Sequence, residues 1–212
     1  MSSSRVTRRR YESPLRVEAA ATTRAAILDA ALALFLERGY TSTTMEAIAA
    51  RAEVSPKTVY AIVRNRRGLL RAVLDRAIAG DDEPISIADR PWVAAMRAYP
   101  DPADRLATLG REGAKMLQRR SDIDAVLDRA ALVDADAMEL AGRVREERRL
   151  GQAALLRLAL APRVVDDEAT DALFALGSPE VYRTLTQSRG WTHDAFATWY
   201  VDLLRRVFLA GD

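Results

Sequence analysis

The stretch SPKTVY, Ser55 to Tyr60, places a cation, two hydroxyls and a phenol within six residues. Ser at a cap and Pro at the first helical position are start signals for a helix. Val59 and Ile62 then fall on one side and can anchor it. Pro56, Lys57, Thr58 and Tyr60 lie toward the outward, N-terminal side, where the helix dipole is positive. Such groups suit phosphate oxygens, base edges and thymine methyls in a major groove. The competing reading is a short connector whose Tyr60 covers core, and the neighbouring elements must decide between them.

Carboxylates offer the other possible chemistry. SDIDAVLD puts Asp124 and Asp128 on one helical face, and Asp166, Asp167 and Glu168 cluster further on. Acid/base catalysis or metal binding needs partners, yet the chain has no Cys and one His, His193. Its Ser and Thr residues have no evident base. These acids fit solvated helix starts, so no catalytic residue, metal ligand or cofactor is expected.

Charge supplies the first piece of context. Residues 1–76 hold 14 Lys or Arg against 7 Asp or Glu, a net of +7, whereas residues 77–212 hold 18 against 23, a net of −5. The split points to a polyanion as partner of the first part only. With 212 residues and 49% apolar content the chain can build a real core. No apolar run approaches the ~20 residues that cross a bilayer, and no membrane partner is expected. The absence of Cys fits a reducing, cytoplasmic setting. The Ser- and Arg-rich N-terminus lacks the apolar region of a secretory leader.

The elements that would position SPKTVY read as helices, and the chain as all-α. A first helix is expected over Thr23–Arg38, closed by Gly39 in a left-handed conformation. Thr43 and Glu46 have capping-box spacing for a short second helix carrying Met45, Ile48 and Ala49. Only EVS separates its end near Ala52 from Ser55, which gives a helix-turn-helix arrangement. Asn65 caps a fourth helix with an apolar stripe through Leu69, Leu70, Val73 and Leu74. Arg66 and Arg67 occupy its first turn, the unfavourable end for cations unless an anion such as a phosphate approaches.

AALALFLERGYTSTTMEAIAARAEVSPKTVYAIVRNRRGLL resembles the DNA-binding domain of the TetR family of bacterial transcriptional regulators, over residues 22–76. The likeness lies in the Gly-aromatic pair, the paired Thr, the IA of the second helix, the VS turn, TVY, and a basic residue before LL. It implies DNA contacts at Thr44, Lys57, Thr58, Tyr60 and Arg66, with Arg24 or Thr43 at the backbone. The sequence departs from the family pattern at Glu53, where a turn Gly is common, and at Ile62 and Val63, where aromatics or His are frequent. A side chain at Glu53 disfavours the left-handed conformation, so a slightly different turn is expected.

Three segments follow. Residues 1–21 form a basic arm, with Arg5, Arg8, Arg9, Arg10 and Arg16 available for phosphates or a minor groove, mobile without DNA. Residues 22–78 form the helix-turn-helix domain. AGDDEPISIADRP then breaks the pattern, and residues 79–212 form a helical regulatory domain. Its expected helices are Trp92–Ala98, Pro102–Arg119, Ile123–Ala131, Ala135–Ala161, Asp166–Leu176, Pro179–Gln187 and Thr192–Leu209. Trp92, Met96, Leu109, Met116, Leu127, Met138 and Phe174 are candidates for an adaptable apolar pocket, each weighed against plain core. The last helix carries Phe196, Trp199, Tyr200, Leu203 and Val207, a face broad enough to need a partner. Leu173, Val181, Tyr182 and Leu185 can share it.

The resemblance implies a homodimeric repressor, released from a pseudo-palindromic double-stranded DNA operator when a small-molecule effector shifts the fourth helix. An all-α ligand-binding module, or a nonspecific DNA-binding protein without operator recognition, is the alternative.

Overall fold

The computed structural model describes residues 14–209. Among them every regular element is helical. The order is α1 (Pro14–Arg38), α2 (Met45–Arg51), α3 (Pro56–Ile62), α4 (Arg66–Ala79), α5 (Pro91–Ala98), α6 (Pro102–Ala131), α7 (Ala135–Leu160), α8 (Asp167–Leu176), α9 (Pro179–Arg183) and α10 (His193–Leu209). A 3₁₀ turn, Ile87–Asp89, precedes α5, and α9 runs on into a π-helical turn over Thr184–Ser188.

α1 begins well ahead of Thr23. Ala-rich sequence favours helix there, and the Thr22 and Thr23 hydroxyls donate back to the Glu18 and Ala19 carbonyls at 3.0 and 2.9 Å instead of capping a start. Arg16 therefore lies in α1. Arg5, Arg8, Arg9 and Arg10 lie outside the described residues. The stretch Glu18–Arg38, with mean hydropathy 1.5, is long and apolar enough by length and composition to cross a membrane. This overturns the expectation that no run reaches that length. Its Ile27, Leu28, Ala31, Leu34 and Phe35 are buried in the protein core, which accounts for its hydropathy.

Local signals set most helix ends. Ser55 accepts from the Thr58 N–H at 3.1 Å and Asn65 from the Gly68 N–H at 2.8 Å. Gly39 and Gly80 take positive φ, 80° and 91°. The cap of α2 is Thr44, not Thr43: its Oγ1 accepts from the Ala47 N–H at 3.1 Å. The expected Thr43–Glu46 box is displaced because Thr43 has another task. Its side chain is wholly buried and its hydroxyl faces the Gly39 and Leu34 carbonyls at 2.8 and 3.2 Å.

The two helices expected on either side of Arg119–Ile123 are one helix of 30 residues, α6. Its SDID segment stays helical because both acceptors and charges find partners. The Ser121 carbonyl accepts from Arg183 at 2.6 Å, and Arg120 pairs with Asp124 one turn on.

Two apolar clusters result. The first joins α1–α4 to Ile123, Val126, Leu127 and Ala130 of α6 and to the start of α7. The second joins Leu106, Leu109, Ala114 and Leu117 of α6 to α5, the end of α7, α8, α9 and α10. α6 serves both. At Gly110 it meets α10 so closely that an added Cβ would lie 2.9 Å from Val201 Cγ2 and 3.1 Å from its Cα.

Candidate functional site

The α2–α3 turn closes on backbone bonds. The Glu53 and Val54 N–H groups donate to the Ala50 and Ala49 carbonyls at 3.3 and 3.0 Å, and Glu53 sits at φ 56°. This is a Schellman closure with a side chain where Gly is preferred. The turn does not avoid the left-handed conformation as expected. It accepts the strain and thereby sets the start of α3 at Ser55.

α3 is anchored by Val59, which is fully buried, with Ile62 half-buried behind it. Pro56 and Lys57 are exposed, and Tyr60 retains 47% exposure. The Thr58 hydroxyl is half-buried, 2.8 Å from Ser55 Oγ. Among the described residues Lys57 makes no ion pair, and neither does exposed Arg64 just beyond the helix. Arg64 was not singled out from sequence. Its signal is a basic residue between a helix end and the Asn65 cap.

Other cations are spent within the chain. Arg66 does not stand free for DNA: its guanidinium lies 4.3 Å over the Tyr40 ring, Nη1 donates to the Thr41 carbonyl at 2.9 Å, and Nη2 is 3.6 Å from Asp134. Arg67 Nη1 is 2.9 Å from Glu139 and 3.5 Å from Asp136. The anion at the start of α4 is thus supplied by the first turns of α7. Burial, the larger influence, holds the Tyr40 phenol above its ordinary range against the neighbouring Arg66. Thr44 is exposed with its Oγ1 engaged in capping, buried Thr43 has no surface to offer, and Arg24 is set on the rim of a cavity.

That cavity, about 760 Å³, opens between α4, the Asp81–Trp92 segment, α6 and α7, with α8 and α10 closing its far side. Its volume lies in the small-molecule range. Trp92, Leu109 and Met116 line it. Met96 and Leu127 are instead core, one in each cluster. Met138 points outward with 60% exposure, and Phe174 lies under the Arg148 guanidinium, 3.6 Å from ring centroid to carbon. None of those four borders the cavity. Adaptable residue types were visible in sequence, but their positions around a void were not.

Of the polar lining, Arg120, Arg148 and Gln152 were not singled out from sequence and Tyr200 was assigned to the partner face; charged residues of α4, the Asp81–Glu83 segment and Glu147 complete it. Arg120 is held by Asp124 through bonds of 2.6 and 2.9 Å, both side chains buried. Asp124 is therefore no solvated cap. Asp128 is half-buried and 2.6 Å from Arg145, with burial raising its carboxyl above the ordinary range against that cation. Arg148 Nη1 donates to the Phe174 and Gly177 carbonyls at 2.8 and 3.3 Å. Burial, assisted by Arg120, pushes its guanidinium down to about 10. Gln152 Oε1 is buried without a hydrogen-bond partner among the described residues.

α4, which follows α3 in the chain and lines the cavity, is tied to α1, α6 and α7. Arg71 bridges to Asp75 and Glu147, Arg76 to Asp29, and Arg119 of α6 donates to the Ala77 and Ile78 carbonyls at 3.0 and 3.1 Å.

The expected partner face is narrower than its sequence. Leu173, Tyr182, Phe196 and Tyr200 are buried inside the chain's second cluster, where Phe196 stacks on Tyr200 at 5.6 Å and meets Tyr182 edge-on at 4.7 Å. Val181, Leu185, Trp199 and Leu203 are half-buried, and Val207 is 41% exposed. Trp191, not anticipated, joins them through an edge contact with Trp199 at 5.7 Å.

Residues 27–73 match the family model described as bacterial regulatory proteins, tetR family. The uncharacterized HTH-type transcriptional regulator YvkB of Bacillus subtilis (strain 168) is 42% identical over 50 residues, 24% of this chain and 26% of that protein. The solved TetR-family structure from Syntrophomonas wolfei superposes with TM-score 0.69 at 14% identity, covering 90% of this chain and 96% of that one. NalD, the secondary repressor of the MexAB-OprM multidrug efflux pump in Pseudomonas aeruginosa, gives TM-score 0.60 at 22% identity, with 89% and 96% covered.

Proposed function

We propose that the chain, whose residues 27–73 match the tetR family model, is a DNA-binding transcriptional regulator of that family and acts as a homodimeric repressor released from a pseudo-palindromic operator by a small molecule. The observation that carries this reading is the outward side of α3. Lys57 and Tyr60 stand exposed there beside Pro56, with Lys57 making no ion pair among the described residues, while Arg66, Arg67, Arg71 and Arg76 are satisfied by the chain's own acids. An exposed cation and phenol on a rigidly capped helix can enter a major groove at little ordering cost.

In this reading residues 22–78 bind DNA and residues 79–212 regulate. Two copies associate through the half-exposed apolar residues of α9 and α10, Val181, Leu185, Trp199, Leu203 and Val207. Their recognition helices then fall one major-groove repeat, ~34 Å, apart or a multiple of it. The effector occupies the cavity and acts on α4, favouring a dimer whose spacing misfits the operator. The protein works inside the cell on double-stranded DNA and performs no chemistry on its ligand.

The test is fluorescence anisotropy of the full-length protein on the intergenic DNA upstream of its own gene and on a random duplex of equal length, titrated in salt. Preferential binding of the upstream DNA, with a dimer or pair of dimers per site, is the expected result. Equal and steeply salt-dependent binding of that DNA and several further operator-scan fragments would make it a nonspecific clamp. Absence of binding at low salt would leave a ligand-binding module.

A further inference from the structure

The cavity carries unspent hydrogen-bonding capacity at one place, the C-terminal end of α8. Arg148 and Gln152 are one turn apart on α7 and so share a face. Both side chains donate to the Gly177 carbonyl, at 3.3 and 3.4 Å. The Tyr200 hydroxyl reaches the same glycine from α10: a Cβ on Gly177 would collide with Tyr200 Oη and lie 3.0 Å from Gln152 Nε2. Three side chains from two helices therefore converge on one bare backbone position bordering the void.

Each of the three has something left over. Arg148 uses Nη1 on two carbonyls and its face on Phe174, while Nε and Nη2 have no partner among the described residues. Among the described residues no carboxylate comes within 4 Å of it: Asp124 is committed to Arg120 and Glu147 to Arg71. Glu180 and Asp124 act on it only from a distance. Tyr200 is buried and its hydroxyl makes no hydrogen bond within the described residues. Gln152 Oε1 is a buried acceptor without a donor among the described residues. Such groups are costly to leave unpaired in a dry site. The rest of the lining offers apolar Ile78, Ile85, Trp92, Leu109 and Met116, together with the charged groups of α4, of the Asp81–Glu83 segment and of Glu147, where Asp75 and Glu147 are paired with Arg71 and Asp81 with Arg90.

We propose that the cavity takes a hydroxy acid: an apolar body whose carboxylate is held by the free edge of Arg148 and the Tyr200 hydroxyl, and whose neighbouring hydroxyl donates to Gln152 Oε1. A plain carboxylate would satisfy Arg148 and leave Gln152 Oε1 bare. An uncharged amphiphile would leave a desolvated guanidinium uncompensated. The hydroxy acid answers both, because it accepts at one atom pair and donates at the next. The inference rests on the cavity being the effector site, and direct binding separates it from the release mechanism.

The experiment is calorimetric titration of the full-length protein, without DNA, with two matched sets: 3-hydroxy-2-naphthoate, 2-naphthoate and methyl 2-naphthoate, and 2-hydroxydecanoate, decanoate and methyl decanoate. In at least one set the hydroxy acid binds tightest, the plain acid roughly tenfold weaker and the ester weaker by a further tenfold or more. Arg148→Met abolishes the preference for acid over ester, and Gln152→Leu abolishes that for hydroxy acid over acid. Should Arg148→Met not fold, Tyr200→Phe provides the second arm, weakening the acids roughly tenfold and the ester little. Esters binding as well as acids, discrimination that survives these variants, or no acid binding at millimolar concentration would overturn the proposal. Ligand binding with these preferences but unchanged operator affinity would instead overturn the release mechanism and leave the head-group assignment standing.

Discussion

Arg71 of α4 and Glu147 of α7, both in the cavity lining, face each other, Nη1 to Oε2 at 2.7 Å, with Asp75 held by Nε of the same guanidinium. The pair joins the helix that follows the DNA-binding elements to a helix that lines the cavity. Both side chains are substantially exposed, so its worth to stability is small, about 0–1 kcal/mol. Its place suggests coupling instead. Glu147→Gln should shift the melting temperature little and ligand-free operator affinity little, while blunting ligand-induced release. Anisotropy with and without saturating ligand reads this directly, and unaltered release would remove the pair from the coupling path.

Lys57→Ala and Tyr60→Ala should each abolish specific operator binding while leaving far-UV circular dichroism and thermal stability intact. Arg64→Ala should weaken binding alike on any sequence and reduce the salt slope by about one, as expected for a phosphate contact. Wild-type affinity in both Lys57→Ala and Tyr60→Ala would disqualify α3 as the reading helix.

Glu53 holds a positive φ at the α2–α3 closure. Glu53→Gly should therefore stabilise the protein by about 1 kcal/mol despite the greater freedom Gly gives the unfolded chain. Urea denaturation measures the change, and a loss of stability would show that the Glu53 side chain contributes something the backbone does not reveal.

The Arg120–Asp124 pair is buried on both sides. Asp124→Ala leaves an uncompensated guanidinium and should cost about 3–5 kcal/mol. The double variant Arg120→Met, Asp124→Leu should recover most of that loss. A double-mutant cycle by chemical denaturation tests it. Equal damage from single and double variants would place the cost in packing.

Asp81 accepts from Arg90 through bonds of 2.6 and 2.9 Å, and these hold its carboxyl below the ordinary range. Its folded-state pKa is lower than its unfolded one, so the clasp is fully present above the ordinary carboxylate value. It is lost as pH falls through the depressed one. The segment between Gly80 and Arg90, which borders the cavity, should exchange amide hydrogens faster, relative to the intrinsic rate at each pH, once pH falls through that depressed value. Asp81→Asn should give that faster exchange at neutral pH. Exchange rates in that segment indifferent to Asp81→Asn would contradict the clasp.

Caps were legible because they are local. Ser55, Asn65 and Gly39 act within four residues, and their chemistry is written in the residue types. The one-residue error at Thr43 arose where two threonines compete: either can cap, and only the depth of the Leu34 and Gly39 carbonyls decides which turns inward. Arg66 looked free because its partner Asp134 is remote in sequence and arrives only when α7 folds back. The same limit hid the polar cavity wall, where Arg148 and Gln152 of α7 meet Tyr200 of α10 at Gly177. Phe196, Tyr200 and Leu203 share a helix with Val207, and periodicity alone does not say whether such a face is covered by its own chain or by another.

α6 runs without a break through both apolar clusters, 30 residues from Pro102 to Ala131. At 1.5 Å per residue it is a rod of about 45 Å, so a tilt of about 5° around one end carries the other roughly 4 Å sideways. The bare contact at Gly110 and Val201 sits near its first end, the packing against α1 and α4 near its second. Leverage of this kind means that a ligand need only wedge the bar slightly at one end for the far end to travel by about the diameter of a methyl group.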